Sequence, residues 1–223
     1  GFGGYDTLYF SAYTTSRRIM LTGYDSEDGF VGTDTSPSPS LVGLFSHINS
    51  IIGSSDPNDP DLLIGLNNNA TWDVSGTDQY HVNPTLDFSN FETLIGGSGQ
   101  DTFNVNGSQN ITLVGGAGND TFSLNNGAQV TSVNGQGGAD TLQYFNYTGP
   151  ININTNNGTA TNVPGGIGSI EMVMRAFPAP VIPVVPAAIV VGVPGEEVIT
   201  VGSLSGDIVP LIQTVATFVV VNH

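Results

Sequence analysis

The sequence of 223 residues contains no cysteine and no lysine. Without cysteine there is no disulfide and no thiolate metal site, and without lysine there is no Schiff base and no P-loop. Arg17, Arg18 and Arg175 are the only strongly basic residues, against 19 acidic ones, and the formal net charge is −16. This balance disfavours nucleic acid and anionic membranes as partners and leaves divalent cations as the natural counter-charge.

Two further absences concern membranes and catalysis. No apolar run of about 18 residues is free of proline and glycine, so we predict no membrane insertion. His47, His81 and His223 are far apart in the sequence. The carboxylate pairs Glu27–Asp28 and Glu196–Glu197 occupy adjacent positions, which on a strand face opposite ways. No Gly-x-Ser-x-Gly elbow occurs. We therefore predict that the chain is not an enzyme.

Glycine-rich turns that end in aspartate are the main positive feature. They are Gly96-Gly-Ser-Gly-Gln-Asp101, Gly115-Gly-Ala-Gly-Asn-Asp120 and Gly135-Gln-Gly-Gly-Ala-Asp140, and each continues with threonine and an apolar residue. Their starts are separated by about 19 or 20 residues, which is the length of one coil of a small β-solenoid. Stacked coils would place the three aspartates above one another along one edge.

This Gly-Gly-x-Gly-x-Asp pattern resembles the hemolysin-type, or repeat-in-toxin, calcium-binding repeat of secreted bacterial proteins. The resemblance covers about residues 1–174. It implies Ca²⁺ between stacked turns, held by the carboxylates of Asp101, Asp120 and Asp140 and by carbonyl groups of turn glycines such as Gly99 and Gly118. The opposite edge carries asparagine-rich turns near 106 and 125 that lack the pattern. The turns are therefore compatible with calcium and also with an ion-free stack.

The remaining pattern predicts an all-β fold, a parallel β-solenoid (β-helix or β-roll) over residues 1–174 with an additional C-terminal β segment. Short apolar segments alternate with polar residues and are cut by Gly, Asn and Asp every eight to ten residues or so. Three related segments, 45–52, 88–95 and 167–173, are predicted as short spacer strands. Residues 40–48 could instead form one or two helical turns, and the acidic stretches 25–34 and 54–61 are expected to be solvated loops.

The C-terminal part has a different composition. Residues 175–186 form a proline-rich linker, and residues 187–223 are apolar and β-branched, which favours strands. This segment could cap its own solenoid, act as a donor strand for another copy, or form a small β domain. The chain also begins inside a degenerate glycine-rich turn, so we expect a processed chain or a fragment.

Together these patterns predict a non-catalytic structural or adhesive protein of the cell surface or extracellular matrix. Its expected partners are other copies of itself, assembled head to tail into filaments, or another surface protein. The alternative is a calcium-binding accessory module of a larger secreted enzyme or toxin. Trp72 and Tyr80 could stack on a sugar, but packing inside the strands is the favoured interpretation.

Overall fold

The computed structural model describes residues 3–25, 28–37, 44–56, 58–176 and 217–220. All regular structure in these ranges is β, so the prediction of an all-β fold is confirmed. None of the described residues forms a helix with the length and apolar character needed to cross a membrane. The helical turns expected within 40–48 are wrong for the described part, because Leu44–Ile48 is a strand. Its Phe45 and Ile48 pair with a neighbouring strand, and this tertiary pairing decides the local structure.

The described residues form twenty strands. In chain order they are β1 (Thr7–Tyr9), β2 (Arg18–Asp25), β3 (Gly29–Asp34), β4 (Leu44–Ile48), β5 (Ser50–Ile52), β6 (Leu62–Ile64), β7 (Ala70–Val74), β8 (Asp78–His81), β9 (Thr85–Ser89), β10 (Thr93–Gly97), β11 (Asp101–Val105), β12 (Thr112–Ala117), β13 (Thr121–Asn125), β14 (Ser132–Gly137), β15 (Thr141–Phe145), β16 (Ile153–Asn154), β17 (Thr159–Ala160), β18 (Ile167–Gly168), β19 (Met172–Ala176) and β20 (Thr217–Val220).

Most of these strands belong to two large sheets. The ten-stranded sheet has the order β1-β5-β9-β8-β7-β11-β13-β15-β19-β20, the eight-stranded sheet has the order β18-β14-β12-β10-β6-β2-β3-β4, and β16 pairs with β17 alone. From β10 to β15 the chain alternates between the two large sheets. In this region each strand pairs in parallel with the strand two elements later.

The repeat spacing sets the register of these parallel pairs. Phe103 lies beside Phe122, which lies beside Leu142. All three side chains are fully buried, because alternate residues of a strand point to the same side. The rings of Phe103 and Phe122 stack with centroids 5.1 Å apart, and Trp72 stacks on Phe103 at 5.6 Å. The core is therefore a ladder of apolar side chains between the two sheets.

The three predicted spacer strands are corners between the sheets, and the prediction of continuous strands there is wrong. Each segment leaves one sheet and enters the other: β4 to β5, β9 to β10, and β18 to β19. Asn90 (φ 58°) and Ser169 (φ 48°) stand between the two strands of their segments, and the left-handed conformation of each turns the chain there. His47 (φ 62°) lies within β4, whose pairing with β3 is irregular, and the chain changes sheet between Ile48 and Ser50.

The acidic stretch 25–34 also differs from its prediction as a loop. Its second half is β3, which pairs antiparallel with β2 in a hairpin. Asp34, at the end of β3, is buried and forms an ion pair with the buried Arg17. The other acidic stretch, 54–61, contains no strand among its described residues, and it ends at the buried Asp61.

The C-terminal part is described only at its two ends. β19 continues to Ala176, two residues beyond the predicted end of the solenoid at 174, and β20 pairs with it antiparallel. Residues 177–216 and 221–223 lie outside the described residues, and they include nearly all of the predicted linker (175–186) and apolar segment (187–223). The choice between cap, donor strand and separate β domain stays a prediction.

Candidate functional site: a column of buried aspartates

The three repeat turns bring Asp101, Asp120 and Asp140 into one column. Asp101 opens β11, and Asp120 and Asp140 stand immediately before β13 and β15. These strands are neighbours in the ten-stranded sheet and pair in parallel with the repeats in register. Aspartates at the same place in each repeat therefore lie one above another.

Hydrogen bonds connect the members of the column. The backbone N–H of Asp101 donates to Oδ1 of Asp120 at 2.8 Å, and the N–H of Asp120 donates to Oδ1 of Asp140 at 2.8 Å. The N–H of Asp140 donates to Oε2 of Glu171 at 2.7 Å. The three aspartates are at most 1% exposed. Their carboxylates therefore point into the molecule, and those of Asp120 and Asp140 each tie their own repeat to the preceding one.

Several oxygens of the column have no hydrogen-bond donor among the described residues. These are both carboxylate oxygens of Asp101 and the Oδ2 atoms of Asp120 and Asp140. The amide of Ala70 and the indole of Trp72 act on Asp101 and lower its pKa, but neither makes a hydrogen bond of normal geometry to it. A buried carboxylate oxygen without a partner is costly. A proton or a cation would remove that cost.

Carbonyl oxygens converge on the same places. A Cβ built on Gly96 would overlap both Oδ2 of Asp101 and the carbonyl oxygen of Gly115. A Cβ on Gly115 would overlap Oδ2 of Asp120 and stand 2.8 Å from the carbonyl oxygen of Gly135. The first glycine of each of these two turns thus lies against a carboxylate oxygen of its own turn and a carbonyl oxygen of the following repeat, an approach that a side chain at this position would prevent.

The predicted ligand glycines Gly99 and Gly118 form their own line in the stack. A Cβ on Gly118 would overlap the carbonyl oxygen of Gly99, and the N–H of Gly118 donates to the carbonyl of Gly137 at 2.8 Å. These contacts join Gly99 and Gly118 to neighbouring repeats and not to the aspartates. The glycines that face the carboxylates are the first of each turn, five residues before each aspartate. Sequence reasoning missed them, although this spacing was visible.

Burial raises the pKa values of the column. The pKa of Asp101 rises to about 7, because the side chain is desolvated and because Asp120 carries a like charge. The pKa of Asp120 rises to about 6, with burial as the main cause and Asp140 as a further one. Burial also raises the pKa of Asp140, with Glu171 adding to the effect. Near neutral pH a cation at Asp101 or Asp120 would therefore have to compete with the proton.

Three further residues, Asn49, Glu92 and Glu171, fasten the backbone of turn aspartates, and we call them the corner residues. Oδ1 of Asn49 accepts the N–H of Asp6 at 2.9 Å, and Oε2 of Glu92 accepts the N–H of Asp61 at 2.8 Å. Each corner residue also donates its own N–H to the carbonyl of that aspartate, at 2.9 to 3.1 Å.

The sequence contained a signal for the corner residues that our interpretation did not use. Each is the fifth residue of one of the three related segments, and each follows the positive-φ residue by two positions. The repetition of apolar-small-x-apolar-polar in the three segments was visible, but it was interpreted as a strand. A strand would have pointed the fifth residue to the same face as the first and third.

Asp61 is a useful contrast because it is equally buried but fully hydrogen-bonded. It precedes β6 in the eight-stranded sheet. Oδ1 accepts the N–H of Arg17 at 2.6 Å and the hydroxyl of Ser54 at 3.1 Å, and Oδ2 accepts the N–H of Ser54. Burial raises the pKa of Asp61, while these hydrogen bonds and the charge of Arg17 lower it. Asp61 therefore has well-formed hydrogen bonds to its carboxylate, whereas Asp101 has none from the residues that the structure describes.

The guanidinium of Arg17 is the buried cation of this part of the fold. Its side chain is fully buried and pairs with the carboxylate of Asp34. It also lies over the rings of Phe10 and Tyr13, with its Cζ 5.0 and 4.4 Å from the ring centroids. A charge so enclosed is stable only while its partners remain.

Other candidate side chains do not gather into a site. No three His, Cys, Asp or Glu side chains converge in the described ranges, so a cation at the column would depend mainly on backbone carbonyls. Trp72 and Tyr80 are fully buried, with ring centroids 4.4 Å apart, and the packing interpretation is confirmed. His81 contacts Asp73 and Thr85, each at 3.0 Å, on the outer side of the ten-stranded sheet.

Comparison of the chain with models of known protein families, with curated proteins and with solved structures returned no match.

Proposed function

We propose that the chain is a calcium-stabilised parallel β-solenoid that serves as a non-catalytic structural or adhesive component outside the cell. The observation that carries the proposal is the column of Asp101, Asp120 and Asp140, whose buried oxygens lack donors in the described part of the chain. The resemblance of the turns to hemolysin-type repeats agrees with it.

Strand pairing supports the solenoid. Each repeat contributes one strand to each large sheet, as β10 with β11 and β12 with β13 do. Leu94 pairs with Leu113 in one sheet while Phe103 pairs with Phe122 in the other, so both pairings advance by the same 19 residues. A chain that advances by one strand in both sheets per repeat winds as a solenoid.

The residues of the column fit calcium better than other common ions. The oxygens available are carboxylates from Asp101, Asp120 and Asp140 and carbonyls of Gly115 and Gly135. Ca²⁺ accepts six to eight or so oxygens in flexible arrangements, whereas Mg²⁺ demands a near-octahedral set and keeps its waters. The absence of cysteine removes the thiolates that zinc and copper prefer. When bound, the ion would supply positive charge that neutralises the stacked carboxylates.

The proposed calcium chemistry supports the proposal of an extracellular location. A site with few carboxylates binds calcium weakly, and extracellular calcium modules have a Kd on the order of 10⁻⁴ to 10⁻³ M. Such a site fills outside the cell and stays empty at cytosolic calcium. Folding would then be completed after export.

Self-assembly is the proposed structural role. Among the described residues, β1 is the edge strand of the ten-stranded sheet next to β5. An unpaired edge accepts an added strand, and the apolar C-terminal segment of another copy is the proposed donor. A contact of this kind joins unlike surfaces of two copies and continues as a filament. Another surface protein is the alternative occupant of this edge.

Calcium titration tests the proposal. Isothermal titration calorimetry should show binding to the wild type, and the melting temperature should be higher in calcium than in chelator. The expected gain is roughly 2.7 kcal/mol when free calcium is about a hundred times the Kd. Asp120→Asn should abolish the gain, while Asp59→Asn, the same charge change at an exposed aspartate, should keep it. Identical wild-type melts and no heat of binding would overturn the calcium assignment.

A further inference from the structure

The outer face of the ten-stranded sheet carries two parallel rows of polar side chains. Both rows run across successive strands from β9 through β8, β7, β11 and β13 to β15, at one residue per strand. The hydroxyl row consists of Thr85, His81, Thr71, Thr102, Thr121 and Thr141. The amide row consists of Asp87, Gln79, Asp73, Asn104, Ser123 and Gln143.

The amide row is held in place by its own hydrogen bonds. Nε2 of Gln79 donates to Oδ1 of Asp87 at 2.7 Å, and Nδ2 of Asn104 donates to Oδ1 of Asp73 at 2.8 Å. His81 contacts Oδ2 of Asp73 at 3.0 Å. These bonds fix the side chains before any ligand arrives, which lowers the entropic cost of binding.

The hydroxyl row keeps its hydrogen-bonding capacity. The side chains of Thr71, Thr102, Thr121 and Thr141 are partly exposed, and among the described residues none of their hydroxyls makes a hydrogen bond. Each hydroxyl can donate once and accept twice. The row therefore offers both donors and acceptors, repeated at the strand spacing of about 4.8 Å.

A polar depression adjoins this row. Its volume is about 360 Å³, and it is lined by the hydroxyl row from His81 to Thr121, by the amides of Asn69, Gln100 and Asn119, and by Ala70 and Asp101. The lining therefore combines hydroxyl, amide and imidazole groups with one aspartate, and it contains no arginine.

Exposed aromatic rings stand at the N-terminal end of the same face. Tyr5 and Tyr9 are 65% and 64% exposed. The hydroxyl of Tyr5 donates to the carboxylate of Asp87, which connects this exposed side chain to the amide row. Tyr9 shares a face with Thr7, which is in line with the amide row through Ser50. Tyrosine offers an apolar ring and a polar tip, which suits a ligand with both kinds of surface.

We propose that this face binds a neutral polysaccharide in an extended, β-1,4-linked conformation, with its chain running across the strands. Six positions of the hydroxyl row span roughly 24 Å. An extended β-1,4-linked hexose chain advances by close to one strand spacing per sugar, so the sugars and the positions of the row advance at similar intervals. The C–H faces of sugars pack on tyrosine rings.

The charge of the face selects a neutral polymer. Neither row contains arginine, the chain contains no lysine, and Asp73 and Asp87 lie within the amide row. An anionic polymer would be repelled by these carboxylates and by the net charge of −16. The proposal deepens the adhesive role proposed above by naming its ligand class, and it relies on that role for the stacking of the repeats.

Affinity gel electrophoresis tests the proposal with the full chain in calcium buffer. We expect hydroxyethylcellulose or glucomannan in the gel to retard the protein, and microcrystalline cellulose to retain it. Thr102→Val with Thr121→Val removes two hydroxyls at constant shape and should weaken binding by about tenfold. The matched control is Thr93→Val with Thr112→Val on the eight-stranded sheet, which should bind as the wild type does.

Three results would overturn the glycan assignment. They are no retardation of the wild type by any neutral polysaccharide, equal retardation by alginate, and equal losses in the two double variants. Melting of the same samples in calcium and in chelator separates this inference from the proposed function. If the melting temperature depends on calcium but no polysaccharide retards the protein, only the proposed glycan binding is rejected. If a polysaccharide retards the protein but the melting temperature does not depend on calcium, only the proposed calcium binding is rejected.

Discussion

The backbone N–H of Asp120 donates to Oδ1 of Asp140 at 2.8 Å, across 20 residues of sequence. The same carboxylate keeps its Oδ2 buried and without a donor in the described part of the chain. One oxygen therefore connects two repeats, while the other one remains for a proton or a cation. This division of roles is repeated at Asp120, whose Oδ1 accepts the N–H of Asp101. The column therefore connects successive repeats, and it also contains buried carboxylate oxygens without a donor in the described part of the chain.

Asp120→Asn should have opposite effects in chelator and in calcium. The amide keeps Oδ1 as an acceptor and places an NH₂ donor where the unpartnered Oδ2 stands. At pH 8 in chelator we expect a higher melting temperature than wild type, because a buried charge is removed. In excess calcium we expect a loss of about 1–3 kcal/mol relative to wild type, because a ligand is missing. Differential scanning calorimetry of both proteins in both buffers measures the two changes in melting temperature. A uniform loss in both would show that the carboxylate acts only as a structural tie.

The dependence of the melting temperature on pH should also have opposite signs in chelator and in calcium. The folded-state pKa values of Asp101 and Asp120, about 7 and about 6, lie above the ordinary value for aspartate. Between about pH 4 and pH 7 the folded state therefore binds more protons than the unfolded state, and stability rises as pH falls. In chelator the melting temperature should increase from pH 8 to pH 5.

In calcium the same acidification should lower the melting temperature, because protons displace the ion from the carboxylates. Melting curves at several pH values in the two buffers provide the comparison. Parallel slopes in chelator and in calcium would mean that these carboxylates do not hold the ion.

Gly115→Ala tests the space in which the oxygens converge. Its Cβ would overlap Oδ2 of Asp120 and stand 2.8 Å from the carbonyl of Gly135. We expect a loss of about 1–3 kcal/mol from overpacking and the loss of the calcium-induced rise in melting temperature. Gly149→Ala is the control, because nothing lies within 4 Å of its Cβ position. Equal behaviour of the two variants would mean that the turn relaxes without cost.

The column could be predicted from sequence because its geometry follows from a fixed repeat length. Equal spacing places Asp101, Asp120 and Asp140 at the same point of each repeat. Parallel pairing of successive repeats then brings the three residues into one column. Alternation of apolar residues likewise predicted the inward Phe103 and Phe122. In these cases local pattern and tertiary structure agree.

The parts that could not be predicted depend on contacts between distant segments. Asp34 belongs to an acidic stretch that looks solvated, and only the fold brings it against the buried Arg17. The corners at Asn90 and Ser169 depend on a left-handed residue that composition does not mark. Leu44–Ile48 is ambiguous by its apolar pattern, and pairing with β3 makes it a strand.

The hydrogen bonds of the corner residues predict that Glu92→Gln and Glu92→Ala differ in stability. Oε2 of Glu92 accepts the N–H of Asp61 at 2.8 Å, and the amide of Asn49 fills the same role toward Asp6. Glu92→Gln should therefore retain stability, whereas Glu92→Ala should lose about 1–3 kcal/mol because a buried N–H loses its acceptor. Urea unfolding of the three proteins measures the difference. If both substitutions cost the same, the charge of Glu92 matters and not its acceptor oxygen.

Arg17 should stabilise the fold, and calcium should not compensate for the loss of its side chain. Arg17→Met leaves the carboxylate of Asp34 buried without its cation and removes the guanidinium from the rings of Phe10 and Tyr13. The expected loss is about 3–5 kcal/mol, as for a buried ion pair broken at one partner. Adding Asp34→Asn should restore part of it, because Asn keeps the acceptor that Ser36 uses at 2.9 Å and removes the unpaired charge. A double-mutant cycle of unfolding free energies, in calcium and in chelator, gives the coupling between the two residues. Additive effects would contradict the ion pair, and a coupling that disappears in calcium would show that the ion reaches this part of the fold as well.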